Sequence, residues 1–343
     1  MKVKKIGVVS LSSGILGEDF AAHQVEIGKK RLNDIGIELE FMENSLKGID
    51  FIDKNPSKRA EDLINAFKDD SIDMILCAIG GEDTYRLLPY LFENDELKNV
   101  VSQKIFLGFS DTTVNHLMLN KLGIKTFYGQ AFLTEVAELD NEMLPYSKSY
   151  FKELVETGTI NEIRPSEVWY DERTDFSKTA VGTKRSMHKN NGYELLQGSG
   201  KFSGEILGGC IDSIYQIISK DFKDAFELAN KYNLFPSAKD WKNKILLLET
   251  SENKPDPKLY RKMLRTLKST GIFDEINGVI IGKPQDDKYY DEYKEILVEE
   301  IDNNLSILYN FNVGHALPRC IVPFGVPCEV DFDNEVIRFN NEK

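Results

Sequence analysis

No run of this 343-residue chain approaches the ~18 consecutive apolar residues that a membrane-crossing helix needs, so no such span is expected. Cysteine is scarce and scattered. Cys77, Cys210, Cys320 and Cys328 form no Cys-x-x-Cys pair, and no histidine stands where it would complete a zinc site. A disulfide framework and a zinc finger are thereby excluded, and a reducing, cytoplasmic compartment is the expectation. Three of the four lie in apolar, strand-like surroundings and read as buried thiols. Positive charge is in deficit, with 43 Lys and Arg against 56 Asp and Glu for a formal charge of −13. Neither a nucleic acid polymer nor an anionic membrane is gripped by such a balance. The first residues, Met1 to Ser10, begin with lysines, but their apolar stretch is far shorter than a signal-peptide core and reads as a first strand. No internal repeat is present.

What is present is an ordinary globular composition, 41% hydrophobic and 29% charged, in a chain long enough for two domains with separate cores. The first half alternates strand and helix. Strands are expected at Ile6 to Ser10, Ile37 to Phe41, Met74 to Ile79 and Ile105 to Phe109. Helices are expected from about Ala21 to Leu32, through Arg59 to Phe67, and from Tyr85 to Phe92. This alternation implies a parallel sheet covered on both faces, with ligands outside the carboxyl ends of its strands. Gly80-Gly81 and Ser110 both fall at such ends.

From about Ser166 to Lys201 periodicity gives way to polar residues, as in a linker or a loop over a site. The expected organisation is an N-terminal α/β domain over 1–165, a linker or active-site loop over 166–201, and a C-terminal domain over 202–343. Regularity resumes with Gly204 to Gly209, followed by a helix through Ile211 and Ile218. Strands are expected at Lys244 to Glu249, Ile276 to Ile281 and Ile307 to Phe311, and helices around Leu259 to Leu267 and Tyr289 to Ile301. The tail from Val330 to Phe339 reads as a hairpin about Asp333-Asn334.

The segment Gly108-Phe109-Ser110-Asp111-Thr112 leaves an apolar strand and enters a helical pattern of Val114, Leu117, Met118 and Leu122. Such a turn can hold a serine hydroxyl clear of the sheet edge beside the backbone N–H groups of a new helix. Taken alone, the pentapeptide, which lacks the second glycine of a Gly-x-Ser-x-Gly elbow, is better explained as an ordinary turn capped by Ser110 or Asp111. A serine nucleophile needs a base, usually a histidine oriented by a carboxylate. Of four histidines, His23 and His188 read as surface residues, and His116 lies on the far side of the helix from the turn. His315 follows an apolar strand and sits in a loop between Gly314 and Pro318. Glu249 closes the strand Ile245 to Leu248, where a buried acid is costly unless partnered. The chain order Ser110, Glu249, His315 is that of other serine hydrolases on parallel sheets. The N–H groups of Asp111 and Gly81 are candidate oxyanion donors. Gly80-Gly81 is not a phosphate loop, because neither Gly-x-Gly-x-x-Gly nor Lys-Ser/Thr follows it.

Together, Ile79-Gly80-Gly81-Glu82-Asp83, Gly108-Phe109-Ser110-Asp111, Gly204 to Gly209, Leu248-Glu249, Gly282-Lys283 and Gly314-His315 resemble, in order and spacing, the LD-carboxypeptidase family of serine peptidases. The likeness runs over nearly the whole chain. Through Leu88-Pro89-Tyr90, Thr126-Phe127-Tyr128-Gly129 and Gly271-Ile272-Phe273-Asp274 it is most similar to the microcin C immunity branch. The resemblance implies an α/β fold: an N-terminal parallel-sheet domain, a C-terminal domain with a barrel-like sheet, and an active site between them. It also implies a homodimer, with no metal or organic cofactor. Ser110 would be nucleophile, His315 general base and then acid, Glu249 its orienting partner, and Gly81 and Asp111 the oxyanion hole. Members cut an amide near a free carboxylate, either in murein tetrapeptides or between a peptide or amino acid and a modified nucleotide. Where many members have Gly-Gly-Asn this chain has Gly208-Gly209-Cys210, which alters one substrate contact. Trp169 and Phe176 are the loop aromatics that could stack on a base, and Lys283 either holds a substrate carboxylate or is a solvated strand-end lysine. A non-catalytic sugar or nucleotide binding module of two α/β lobes is the reading from another class.

Overall fold

A computed structural model describes residues 2–341, which divide into two compact units. The first holds the chain up to Thr159 together with Arg173–Arg185. The second holds Ile160–Glu172 and the chain from Ser186 onward.

In the first unit, strands β1 (Lys5–Val9), β2 (Glu38–Phe41), β3 (Met74–Cys77), β4 (Ile105–Gly108) and β5 (Thr126–Tyr128) form a parallel array ordered β2-β1-β3-β4-β5. The central strands are apolar runs because helices cover both faces, whereas β2, at the edge, is only half-buried. Helices α1 (Ala22–Asp34), α2 (Ile49–Lys54), α3 (Pro56–Lys68), α4 (Leu88–Phe92), α5 (Thr113–Lys121) and α6 (Pro145–Thr157) intervene or follow. Proline opens α3 and α6, where its missing N–H costs nothing, and Gly158 ends α6 in the left-handed region with its N–H on the Leu154 carbonyl (2.8 Å). The strand order reverses direction between β1 and β3, and a crevice opens beyond the carboxyl ends at such a switch point. The loops after β1 and β3 carry Ser12 and Gly80-Gly81 to that place.

The second unit begins with β6 (Glu162–Ile163), β7 (Val168–Tyr170), β8 (Met187–Lys189), β9 (Glu194–Gln197) and the ten-residue β10 (Lys201–Cys210). Then follow α7 (Ile211–Ile218), α8 (Lys223–Lys231), β11 (Lys244–Glu249), α9 (Pro257–Lys268), β12 (Gly278–Gly282), α10 (Tyr290–Glu300) and β13 (Ser306–Phe311). The chain closes with β14 (Val322–Phe324), β15 (Pro327–Asp331) and β16 (Val336–Phe339). Eight strands form one mixed sheet ordered β6-β16-β15-β10-β11-β12-β13-β9. Strands β10 to β13 run parallel at its centre, with antiparallel pairs on both flanks. The barrel-like sheet that the resemblance implied is thus an open one, since β6 and β9 end the order and, among the described residues, do not pair with each other.

The expected strands, the long helices and the tail hairpin of β15 and β16 are all present. Residues 166–201 are more regular than their sequence suggests. They contain the β7–β8 ribbon, a helical turn at Lys178–Ala180, and β9. Their strands are three or four residues long and lack alternation, so only the partner strand reveals them. Among the described residues no helix is long and apolar enough to cross a membrane.

Candidate active site

Beyond β4 the backbone reaches Ser110 at φ +64°, a left-handed conformation that is costly for a residue with a Cβ. Its N–H donates to the Tyr128 hydroxyl (3.1 Å), so β5 holds the turn from the side. No side chain caps the short helix at Ser110–Thr112, which removes capping as the reason for a serine or aspartate here. Gly80 faces Ser110 so closely that a Cβ on it would stand 2.6 Å from the serine Cβ and 2.7 Å from Oγ. Gly81, at φ +155°, has Ser12 Oγ filling the space of its missing side chain.

The Asp111 carboxylate ties these loops together. Its Oδ2 accepts from the Ser12 hydroxyl (2.6 Å) and the Thr84 N–H (2.8 Å). Burial pushes its pKa up to about 6, against the pull of those two donors, and its Oδ1 is buried with no hydrogen-bond partner among the described residues. Arg59 of α3, fully buried, donates to the carbonyls of Leu11 (3.1 Å) and Ser12 (3.2 Å) and to both carboxylate oxygens of Asp83 (2.6 and 3.2 Å). One guanidinium thereby fixes the loops after β1 and β3. Of the residues expected here, Ser110, Gly81 and Asp111 come together; Ser12, Arg59, Thr84 and Tyr128 were not among the expected site residues. Only the hydroxyl and charge types of these four carried any sign of their task.

His116 is placed within α5, buried, with Nδ1 to Thr126 Oγ1 (2.8 Å) and Nε2 to the Gly108 carbonyl (3.1 Å). Burial lowers its pKa to about 3, so the ring is neutral and serves to anchor the end of β4. His23 is not the surface residue expected: both ring nitrogens are buried without hydrogen-bond partners among the described residues. Its neighbours Ala22, Gln24 and Glu26 gave the sequence no sign of that.

The second unit supplies an acid and an imidazole in contact. Glu249, 1% exposed at the end of β11, accepts from the His315 N–H (3.2 Å) and meets its Nδ1 at 2.8 Å. Gly314, at φ +87°, is required here, because a Cβ would lie 2.3 Å from Glu249 Oε2. The other ring nitrogen, Nε2, lies 2.9 Å from a second carboxylate, that of Glu252. Burial opposes a charged ring, yet Glu249 and Glu252 outweigh it and raise the His315 pKa to about 10. The Glu252 carboxyl is held down at about 2, chiefly by its hydrogen bond to His315. Arg319 steadies the loop by donating to the carbonyls of Gly314 and His315.

Cys210, at the end of β10, is buried beside this pair, and burial, Glu249 and Asp212 keep its thiol protonated by raising its pKa well above the usual value. Cys210, Glu249 and His315 offer a sulfur, an oxygen and a nitrogen within 4.8 Å of one another, a donor set that suits zinc. Hydrolysis through a serine draws on no such ion. All four cysteines are buried thiols outside any disulfide, as expected for three of them.

Lys283 is buried, not a solvated strand end. Its ammonium pairs with Asp287 and lies over the rings of Trp169 (4.8 Å) and Tyr290 (4.9 Å). Burial lowers its pKa, against the pull of Asp287. The Trp169 ring also stacks on His188 at 4.2 Å. Phe176 belongs to the first unit and is 49% exposed. A pocket of about 530 Å³ in the first unit, lined by Arg31, Ile35, Val136 and Phe151 among others, contains none of the candidate residues.

The N-terminal domain family of the LD-carboxypeptidases matches residues 6–129, and their C-terminal domain family matches residues 203–330. The chain is similar to the MccF-like protein from Streptococcus pneumoniae, solved in complex with AMP. The two are 63% identical, with a TM-score of 0.99 and coverage of 99% of this chain and 100% of that one. It is 26% identical to the microcin C7 self-immunity protein MccF of Escherichia coli, over 83% of this chain and 78% of that protein. It is 23% identical to a probable murein peptide carboxypeptidase of Bacillus subtilis, over 86% of this chain and 80% of that protein.

Proposed function

This chain belongs to the LD-carboxypeptidase family, and from that premise we propose that it is a serine amidase acting on peptidyl or aminoacyl nucleotides, in self-immunity or detoxification of the microcin C kind. Ser110 Oγ attacks the acyl carbon while His315 Nε2 accepts its proton. Glu249 on Nδ1 fixes the tautomer in which Nε2 is the accepting nitrogen and steadies the charged ring. The N–H groups of Gly81 and Asp111 receive the developing oxyanion. His315 then returns the proton to the leaving nitrogen, and water, activated by the same ring, releases the acyl group from Ser110. The observation that carries this reading is the 2.8 Å contact between Glu249, at the end of β11, and Nδ1 of His315, in the loop after β13. The nucleotide side of the proposal rests on the AMP complex of the S. pneumoniae relative.

The second reading, murein tetrapeptide carboxypeptidase in cell-wall recycling, draws on the B. subtilis relative. Incubation with an aminoacyl sulfamoyl adenosine and with a murein tetrapeptide separates them: released nucleoside supports the first, released D-alanine the second. Ser110→Ala is expected to abolish either activity and leave the circular dichroism spectrum intact. Turnover retained in that variant removes Ser110 from the mechanism. A non-catalytic binding module would bind the nucleotide yet show no labelling by a fluorophosphonate. The homodimer implied by the resemblance is read by sedimentation.

A further inference from the structure

Glu252 has no part in the mechanism above, yet it contacts the one atom on which that mechanism turns. Its carboxylate stands 2.9 Å from His315 Nε2, while its side chain is 63% exposed. An acyl-transfer base cannot work while its reacting nitrogen is bound elsewhere, so Glu252 must let go during the reaction. The turn that carries it is well anchored: the Ser251 N–H donates to Asp212 Oδ2 (3.0 Å), and the Lys254 N–H donates to the Ser251 carbonyl (3.0 Å). Release therefore falls to the Glu252 side chain. Its exposure leaves it room to turn.

We propose that Glu252 is the receptor for the free α-ammonium group of an aminoacyl substrate, which takes the carboxylate from His315 Nε2 and so frees the base only when that substrate is bound. The inference rests on the amidase reading above and narrows its substrate class. In an aminoacyl group the ammonium nitrogen is about 2.5 Å from the acyl carbon by covalent geometry. The base must lie beside that carbon, through the attacking oxygen and then the leaving nitrogen. A carboxylate touching Nε2 is thus within reach of the ammonium. The exchange replaces one cationic partner by another, and the imidazolium, having lost its second carboxylate, passes its Nε2 proton to solvent. Around the ring in the second unit stand Glu249 from β11, Glu252 from the following turn, and Cys210 and Asp212 around the start of α7, while Arg319 donates to the His315 carbonyl from the same loop. Glu252 both contacts Nε2 and projects into solvent.

The test uses full-length Ser110→Ala protein, which cannot turn the probe over, with aspartyl sulfamoyl adenosine and its N-acetyl derivative, by titration calorimetry. A charge-assisted contact at an exposed carboxylate predicts about tenfold tighter binding of the free amine, and Glu252→Gln should reduce that ratio to near one. An equal ratio in both proteins, or no preference in either, overturns the inference while the amidase reading stands. Binding of neither compound overturns both. A second measurement needs no change at Glu252. Followed by NMR, the His315 ring should lose its proton at lower pH with the free-amine probe bound than with the acetylated one; equal titrations overturn the proposal.

Discussion

At the scale of the residue, His315 is held charged by two carboxylates, and a charged imidazole is no base. With its pKa raised to about 10 by Glu249 and Glu252 against the cost of burial, the neutral ring becomes dominant only as pH climbs toward that value. For an acylated substrate that brings no ammonium, kcat/KM is therefore expected to rise with pH through the range above neutrality. Removing one negative neighbour disfavours the imidazolium, so Glu252→Gln should move this limb to lower pH. A pH–rate profile of the two proteins checks it, and coincident limbs would count against the assignment. The sequence made His315 legible because a glycine and a proline frame it after a strand. It left Glu252 silent, since an exposed glutamate three positions beyond Glu249 looks like solvated polarity until the ring is seen against it.

At the scale of the element, the site in the first unit is made of strand ends. β3 and β4 are parallel neighbours, so the loops leaving them emerge side by side, and Gly80 comes to face Ser110. Gly80→Ala is expected to leave the fold standing while displacing the serine. Overpacking of this kind costs about 1–3 kcal/mol of stability, and a misplaced nucleophile costs about 10²-fold in rate. Measuring kcat together with the thermal midpoint checks this; full activity with an alanine there would show that the close approach does not position Ser110. The strands were legible because a parallel strand buried on both faces is an apolar run in any context. The β7–β8 ribbon was not, since Val168–Tyr170 and Met187–Lys189 carry no pattern and owe their pairing to one another.

At the scale of the whole molecule, the boundary drawn from composition differs from the division into units. Arg173–Arg185 returns to the first unit although both flanking segments belong to the second. Glu138 explains the return. Its buried carboxylate receives Arg173 at 2.8 Å and Arg185 at 2.9 Å. Against its burial, the two guanidinium groups hold its pKa below the usual carboxylate range. Removing one partner of a buried ion cluster leaves the rest uncompensated, typically at about 3–5 kcal/mol. Glu138→Ala is accordingly expected to lower the thermal midpoint and to open residues 173–185 to limited proteolysis. An unchanged digestion pattern would show that the segment is held by other means.

The sequence by itself determined the alternation of strands and helices, the ends at which Ser110, Glu249 and His315 stand, and the family to which they belong. These follow from burial patterns and turn residues, which act over a few positions and are written in order along the chain. Tertiary structure decided that Glu249 meets His315 across 66 positions, that Glu252 takes the other nitrogen of the same ring, that Arg59 clamps two loops, and that an arginine pair draws its segment back to Glu138. Hydrogen bonds and ion pairs of that kind depend on distance in space, and no local pattern encodes it.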